Sequence, residues 1–389
     1  MTNIDRPTIE DLTADMTEWR RHLHANPETA FEEIKTAAFI AEKLRSFGHI
    51  DVHEGLAKTG VVGVIKGLKD GPTIGFRADI DALDIDEQTN LPWSSKTPGK
   101  MHACGHDGHT AMLLGAAKYL AANRDFAGTA VFIFQPAEEN EGGGRVMVEE
   151  GLFERFPMEQ VYGLHNWPGM TLGQAGVRDG PVMASYDIFE ISVEGTGGHA
   201  AMPHLGTDPI LAAGHIVCAL QAITSRRADP LKSLVVSCTQ IHGGSTWNVI
   251  PNKVRICGTV RAFDEAMQDL AEDQITKIAS NAAKMFEMEA TTRYERRYPA
   301  TVNHKKETGH ANAALVAVLG DENVQRDLPP AMGAEDFAFM LNEKPGSYVW
   351  LGAGENTRPV HTPHYDFNDA VLPLGLQYWV TLARQQLIA

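Results

Sequence analysis

The stretch Met101-His102-Ala103-Cys104-Gly105-His106-Asp107-Gly108-His109-Thr110 places one thiol, three imidazoles and a carboxylate around two glycines. Gly105 allows unusual backbone angles between Cys104 and His106, so a thiolate and an imidazole two positions apart can both turn toward one cation. The apolar run Ala111-Met112-Leu113-Leu114-Gly115-Ala116-Ala117 behind them reads as a helix that anchors the loop. Taken alone, a Cys-x-His pair is more often a polar helix start than a metal site. Matching groups elsewhere in the chain have to decide.

Working outward, residues 61–65, 73–78, 129–134 and 160–164 are short apolar runs with strand character, and 347–351 is another. Helical segments lie between several of them, which predicts an α/β fold with helices packed on the faces of a sheet. Asp79 and Asp81 follow the second run, Glu138 and Glu139 the third, and His165 the fourth. Ligands of open α/β sheets sit beyond the carboxyl ends of the strands, where these groups would converge. Before the sheet, helical patterns run to Asn26-Pro27 and from Glu32 to Phe47, with His22 and His24 expected at the surface or between helices.

From about Met183 the texture changes. Residues 186–194 alternate like a strand with one wet face, and Asp208-Pro209 opens a helix with Ile210, Ala213, Val217 and Leu220 along one stripe. Two strands, at 233–241 and 253–263, precede a helix over 266–288 with Ala271, Ile275, Ile278, Ala282 and Met285 on one face, and a last strand near 290–293. The order predicts a smaller α+β unit, 183–295, inserted into a larger domain made of 1–182 and 296–389.

A formal net charge of −16 over 389 residues leaves no basic stripe for nucleic acid and disfavours anionic membrane surfaces. The first residues lack a basic start with an apolar run, and no stretch approaches the ~18 apolar residues of a membrane span. Cys104, Cys218, Cys238 and Cys257 form no Cys-x-x-Cys pair. A cytoplasmic protein in a reducing compartment is therefore expected, with the last three cysteines as small core residues.

The candidate chemistry rests on Cys104, His106, Glu139, His165 and His361. Five such donors exceed the need of one tetrahedral ion and suit two divalent ions that share a ligand. Glu138 beside Glu139 adds what a purely structural site would not need: one carboxylate can hold metal while its neighbour takes a proton from water. Thiolate with imidazoles suits zinc, whereas a mixed site with carboxylate also accepts manganese, cobalt or nickel.

On these residues the chain resembles the M20 family of metal-dependent aminoacylases and carboxypeptidases, most closely the branch of hippurate hydrolases and indole-acetyl-amino-acid amidohydrolases. The matching segments include Arg21-His22-Leu23-His24, Arg77-Ala78-Asp79-Ile80-Asp81-Ala82-Leu83, His102-Ala103-Cys104-Gly105-His106-Asp107, Gln135-Pro136-Ala137-Glu138-Glu139 and Gly163-Leu164-His165. Gly197-Gly198-His199-Ala200, Asn248-Val249-Ile250-Pro251, Met332-Gly333-Ala334-Glu335-Asp336-Phe337 and the segment around His361 complete the set.

The resemblance implies a large mixed sheet flanked by helices with a ferredoxin-like dimerisation or lid insert, and two divalent ions per subunit with Cys104 in the bridging place. It implies Glu138 as general base, Asp81 as the residue orienting the site, and His199 stabilising the oxyanion in the partner subunit of a homodimer or larger oligomer. Asn248 and Arg261 would hold the substrate, an N-acyl amino acid. Other branches place a metal-binding His where this chain has Asp79, whose role the resemblance leaves open. Glu335-Asp336 reads as a helix cap ahead of the alternative, a pair shaping the pocket wall, and His109 and His364 read as structural or supporting residues.

A carboxypeptidase acting on short peptides competes with this reading, as does a catalytically silent metal-binding module. A dinucleotide fingerprint, Gly195-x-Gly197-x-x-Ala200, is disfavoured because its strand alternates and Pro203 interrupts the helix it needs.

Overall fold

The computed structural model describes residues 7–139 and 141–388, which fall into two compact units. One comprises Met1–Val182, Val302–Pro329 and Asp336–Ala389; the other comprises Met183–Thr301 and Pro330–Glu335. Among the described residues no helix is long and apolar enough to cross a membrane.

The larger unit is built on an eight-stranded mixed sheet. Its strands run in the order Asp51–Leu56, Gly60–Lys66, Ala127–Gln135, Lys69–Asp79, Gln160–Pro168, Gly346–Gly354, Ala175–Gly176, Val324–Gln325. The four central strands, from Ala127–Gln135 to Gly346–Gly354, are mutually parallel, so their carboxyl ends share one edge. Ala127–Gln135 and Gly346–Gly354 are buried over most of their length and largely apolar, as strands covered on both faces must be.

The helix His106–Ala122 is buried over nearly all its surface, as the apolar run Ala111–Ala117 on all its faces requires. It packs with the helices Ile9–Ala25 and Leu372–Gln386. The approach is close: a Cβ on Gly115 would lie 2.4 Å from the Met16 sulfur. Trp379 then meets Phe76 of the sheet edge-on at 5.7 Å. This layer holds the Cys104–His106 loop rigidly behind the strand ends. His22 and His24 lie between elements as expected: His22 stacks on Phe39 at 4.6 Å, and the fully buried His24 reaches Asp107 at 2.8 Å.

The smaller unit has the element order strand, helix, strand, strand, helix, strand, and a four-stranded antiparallel sheet ordered Leu234–His242, Lys253–Ala262, Tyr186–Glu194, Glu289–Tyr298. This is the split βαβ arrangement. Its last strand runs beyond Arg293 to Tyr298, held by pairing with Tyr186, and the unit accordingly extends to Thr301.

The predicted helix faces hold at Ala213, Leu220, Ala271 and Ile275, which are buried, and at Val217, Ile278 and Ala282, which pack partly buried against the same core, but not at Ile210 and Met285. In Pro209–Ala222 the buried residues include Ala212, Ala213, Ile216 and Leu220, while Ile210 is half exposed; in Glu265–Lys284 the buried seam is Ala271, Ile275, Ala279 and Ala283, and Met285 is exposed. The seam combines alanines with Ile216, Leu220 and Ile275, and the large side chains at its ends, Ile210 and Met285, drew the predicted stripe outward. The glycine-rich stretch after Tyr186–Glu194 leads into the two-residue strand Gly198–His199, not into a helix, so the dinucleotide fingerprint has no helix N-terminus on which to seat a pyrophosphate.

Candidate active site

The parallel strands deliver their polar residues to the shared carboxyl edge. Asp79 ends the strand Lys69–Asp79, and Asp81 follows two residues later. Glu138 and Glu139 lie just beyond Ala127–Gln135. His165 sits inside Gln160–Pro168 and not after it, because pairing of Trp350 with His165 and Leu351 with Asn166 keeps the chain extended.

Cys104 precedes the helix His106–Ala122, whose N-cap Gly105 has φ 101°. No other residue fits there. A Cβ would lie 2.2 Å from Asn166 Oδ1 and 2.7 Å from the Tyr365 hydroxyl. The bend aims the Cys104 thiol and the first-turn imidazole of His106 into the same space.

There the donors converge. Cys104, His106 and His165 present ligand atoms all within 4.8 Å of one another, as do Cys104, Glu139 and His361, and also His106, Glu138 and Glu139. Cys104 Sγ is 3.3 Å from His165 Nε2, and His361 Nε2 is 3.0 Å from Glu139 Oε1. Most are buried, whereas the His361 side chain is half exposed. His361 has φ 61° and Ala137, next to Glu138, has φ 53°. Such left-handed conformations cost of order 1–3 kcal/mol and gather where geometry serves function.

The far sides of the His165 and His106 rings are anchored. His165 Nδ1 donates to the Asn166 carbonyl at 2.6 Å, leaving Nε2 for the cluster. His106 Nδ1 donates to the Asp81 carbonyl and carboxylate at 2.9 and 3.1 Å, while its Nε2 is buried with no hydrogen-bond partner. A buried imidazole nitrogen left open, with the opposite nitrogen tied to carboxylate and carbonyl, is the arrangement of metal-binding histidines. The donor set of thiolate, imidazoles and carboxylate therefore fits divalent cations.

The side chains also shift one another's protonation. Burial and the adjacent His109 push His165 well below the usual imidazole range. Burial opposes the charged form of His106, but Asp79 and Cys104 outweigh it and hold that ring well above its ordinary value. Hydrogen bonds to Cys104 and Glu139 raise His361 to about 10, and burial with the Glu139 charge raises the Cys104 thiol. These protons are the ones a bound cation displaces.

Residues 75–385 match peptidase family M20/M25/M40. The chain belongs to this family. It is 41% identical to the hippurate hydrolase of Campylobacter jejuni over 381 residues, covering 98% of this chain and 99% of that protein. It is 40% identical to the N-acetylcysteine deacetylase of Bacillus subtilis, covering 94% of each. Among solved structures, a dinuclear metal-binding M20 peptidase from Bacillus subtilis superposes with a TM-score of 0.85 at 36% identity, covering 97% of this chain and 99% of that one.

Within this M20 chain Asp81 touches two of the converging residues, accepting from His106 Nδ1 and from the Glu139 backbone amide at 2.9 Å. Asp79 accepts from Arg77 Nη1 at 2.8 Å and from His109 Nδ1 at 2.6 Å, and lies 3.7 Å from His106 Nε2. Burial raises its pKa, but His106, His109 and Arg77 together hold it well below the usual carboxylate range. His364 is exposed and bonds the Gln88 carbonyl. A cavity of about 750 Å³, lined among others by Phe31, Lys58, Leu83, Lys100 and Glu139, opens beside the cluster.

The other three candidate residues belong to the smaller unit. His199 is exposed on the short strand Gly198–His199, opposite Val249, and Asn248 sits on the adjoining loop, its carbonyl accepting from Ala200 N at 3.0 Å. Arg261 stands near the far end of Lys253–Ala262, eight residues and so roughly 26 Å of extended strand from Lys253. It stacks over Tyr186 at 4.3 Å and lines a cavity of about 460 Å³. Within one chain, His199 and Asn248 are thus neighbours and Arg261 is not beside them.

The sequence reading assigned no role to several buried partners. Glu33 accepts from Ala137 N at 2.9 Å and from Thr59 Oγ1 at 2.6 Å, fixing the strained residue before Glu138. Asp336 acts as a cap, but for the distant helix Gly143–Glu149, whose Gly144 N it receives at 2.7 Å. Arg77 and Gln135 grip the same carboxylate. Arg77, Gln135 and Asp336 all lie in segments that carry the resemblance, but nothing in the sequence pairs them.

Proposed function

We propose that this metal-dependent amidohydrolase cleaves the amide bond of N-acyl amino acids, aroyl ones included, releasing a carboxylic acid and a free amino acid. The observation that carries the reading is the convergence of Cys104, His106, Glu139, His165 and His361 on one edge of the sheet, with Glu138 beside them. Two relatives of about 40% identity are named for acylated amino acids, hippurate and N-acetylcysteine. The cavity beside Glu139 is of a size that holds small molecules.

In this reading Cys104, His106, Glu139, His165 and His361 hold two divalent ions, zinc or manganese first, with cobalt and nickel as further candidates. Such ions supply Lewis acidity at the amide carbonyl and make water a stronger acid. Glu138 takes the proton as water adds to the carbonyl carbon. As the C–N bond breaks, the same carboxyl returns that proton to the departing nitrogen. Asp81 keeps the His106 ring turned to the cluster and pins the backbone of Glu139. His199 of a second copy donates to the developing oxyanion, a contribution typically worth about 3 kcal/mol, and Asn248 and Arg261 hold the substrate.

The test is metal analysis of protein purified without added ions, followed by a panel of N-acyl amino acids and dipeptides assayed with each of the four metals. Hydrolysis of acyl amino acids, lost on chelation and restored by metal, is expected. Cleavage of dipeptides alone would replace this reading with a peptidase.

A further inference from the structure

Behind Glu138 lies a buried ionic fork that the reaction as described does not use. Arg77, on the strand Lys69–Asp79, is fully buried, and its guanidinium reaches Gln135, Asp79 and Asp336 among the described residues. Nε donates to Gln135 Oε1 at 2.8 Å, Nη1 to Asp79 Oδ2 at 2.8 Å, and Nη2 to Asp336 Oδ1 at 3.1 Å. Its Cζ stands over the Phe337 ring at 5.6 Å.

Asp336, also fully buried, receives Gln135 Nε2 on both oxygens at 2.8 and 3.0 Å and Gly144 N at 2.7 Å. The Asp336 backbone N–H in turn points to Glu138 Oε1 at 3.4 Å. Gln135 and Glu138 are three residues apart on the same strand end. The fork therefore ties the segment carrying Glu138, the neighbouring strand and the Asp336 turn into one rigid piece.

Stability alone does not account for it. Burying a guanidinium and two carboxylates costs several kcal/mol per ion before pairing, and apolar residues of similar volume generally fill such a space as well or better. What the planar fork supplies, and an apolar plug does not, is a fixed distance between two carboxylates. One of them, Asp79, supports His109 beside the histidine cluster; the other sets the turn that touches Glu138.

We propose that Arg77 and Asp336 are positioning residues that act through Glu138, holding its carboxylate in the orientation for proton transfer. This rests on the reading of Glu138 as the proton carrier. Proton transfer demands reach within a narrow distance, and the Asp336 backbone N–H lies where it can hold one oxygen of the Glu138 carboxylate.

The experiment is a double-mutant cycle between Asp336→Asn and Glu138→Asp in the metal-loaded enzyme, with an acyl amino acid as substrate. Asp336→Asn is expected to lower kcat about 10- to 100-fold, the usual effect of removing a supporting partner, with KM and metal stoichiometry unchanged. In the Glu138→Asp background, where the shortened carboxylate has already lost its reach, the same substitution is expected to cost much less. A residue that only stabilises the fold would impose the same factor in both backgrounds.

Equal penalties in the two backgrounds, or an unchanged kcat in Asp336→Asn, would overturn the proposal. If Asp336→Asn fails to fold, Arg77→Lys, which keeps the charge and loses the fork, and Gln135→Met, which leaves both ion pairs in place, enter the same cycle. Wild-type turnover in Glu138→Gln would remove the reading of Glu138 and the proposal with it, an outcome distinct from additivity in the cycle.

Discussion

The Asp81 carboxylate accepts the Glu139 backbone amide at 2.9 Å on one oxygen while the other oxygen receives the His106 ring at 3.1 Å. One side chain thus sets the spacing between two of the converging donors, one at the start of the helix His106–Ala122 and one just past the strand Ala127–Gln135. In Asp81→Asn one of these two donors must face an amide N–H. The expected result is a loss of about 10- to 100-fold in metal affinity or turnover with an unchanged fold. Metal titration followed by circular dichroism checks it, and wild-type affinity with wild-type kcat would show that Asp81 does not set the site.

Most of the candidate donors were legible in the sequence because they stand where chain texture changes, at the end of an apolar run or just ahead of an apolar helix; His361, in the loop between Gly346–Gly354 and Leu372–Gln386, has no such boundary beside it. Residues 1–6, 140 and 389 aside, the layer order followed from the same alternation of runs. What was not legible joins positions with no local relation. Arg77 and Asp336 are 259 residues apart, and nothing in either neighbourhood announces the pair. The helix faces of the smaller unit were legible at Ala213, Leu220, Ala271 and Ile275 but not at their ends. Ala279 and Ala283 carry little hydrophobic signal, and the bulkier Ile210 and Met285, which outweigh such alanines in the sequence, are exposed.

Glu33 gives a pH dependence with a definite sign. Burial, offset in part by the Thr59 hydroxyl, raises its carboxyl from an ordinary 4.5 to about 7. A group whose folded pKa is raised contributes stability that is complete below its unfolded value and is lost as pH climbs through the folded one. At 1.36 kcal/mol per pH unit, the window from 4.5 to about 7 corresponds to about 3 kcal/mol. Glu33→Gln is neutral throughout. The stability difference between wild type and this variant, measured by urea unfolding, should therefore move in favour of the variant across that window and level off above it. A pH-independent difference would show that Glu33 stays ionised in the fold.

Glu138→Gln separates chemistry from metal binding. The amide keeps the shape of the side chain and cannot carry the proton, so turnover should fall by at least about 10²-fold, the low end of what a positioned general base contributes. Metal content, set by Cys104, His106, Glu139, His165 and His361, should stay at the wild-type value. Loss of metal together with activity would recast Glu138 as a ligand.

Gly105→Ala tests the bend on which the cluster depends. The position has φ 101°, a conformation that costs an L-residue about 1–2 kcal/mol before any contact is counted. The new methyl would also fall 2.2 Å from Asn166 Oδ1, an atom that cannot retreat freely because its side-chain amide donates to the buried Tyr365 hydroxyl at 2.8 Å. Relief requires moving either Asn166, whose carbonyl orients His165, or the Cys104–His106 segment itself. The variant should lose about 2 kcal/mol or more of stability in urea unfolding and bind metal more weakly than wild type. If it were destabilised but took up metal with wild-type affinity, the bend would matter to the fold and not to the aim of Cys104 and His106.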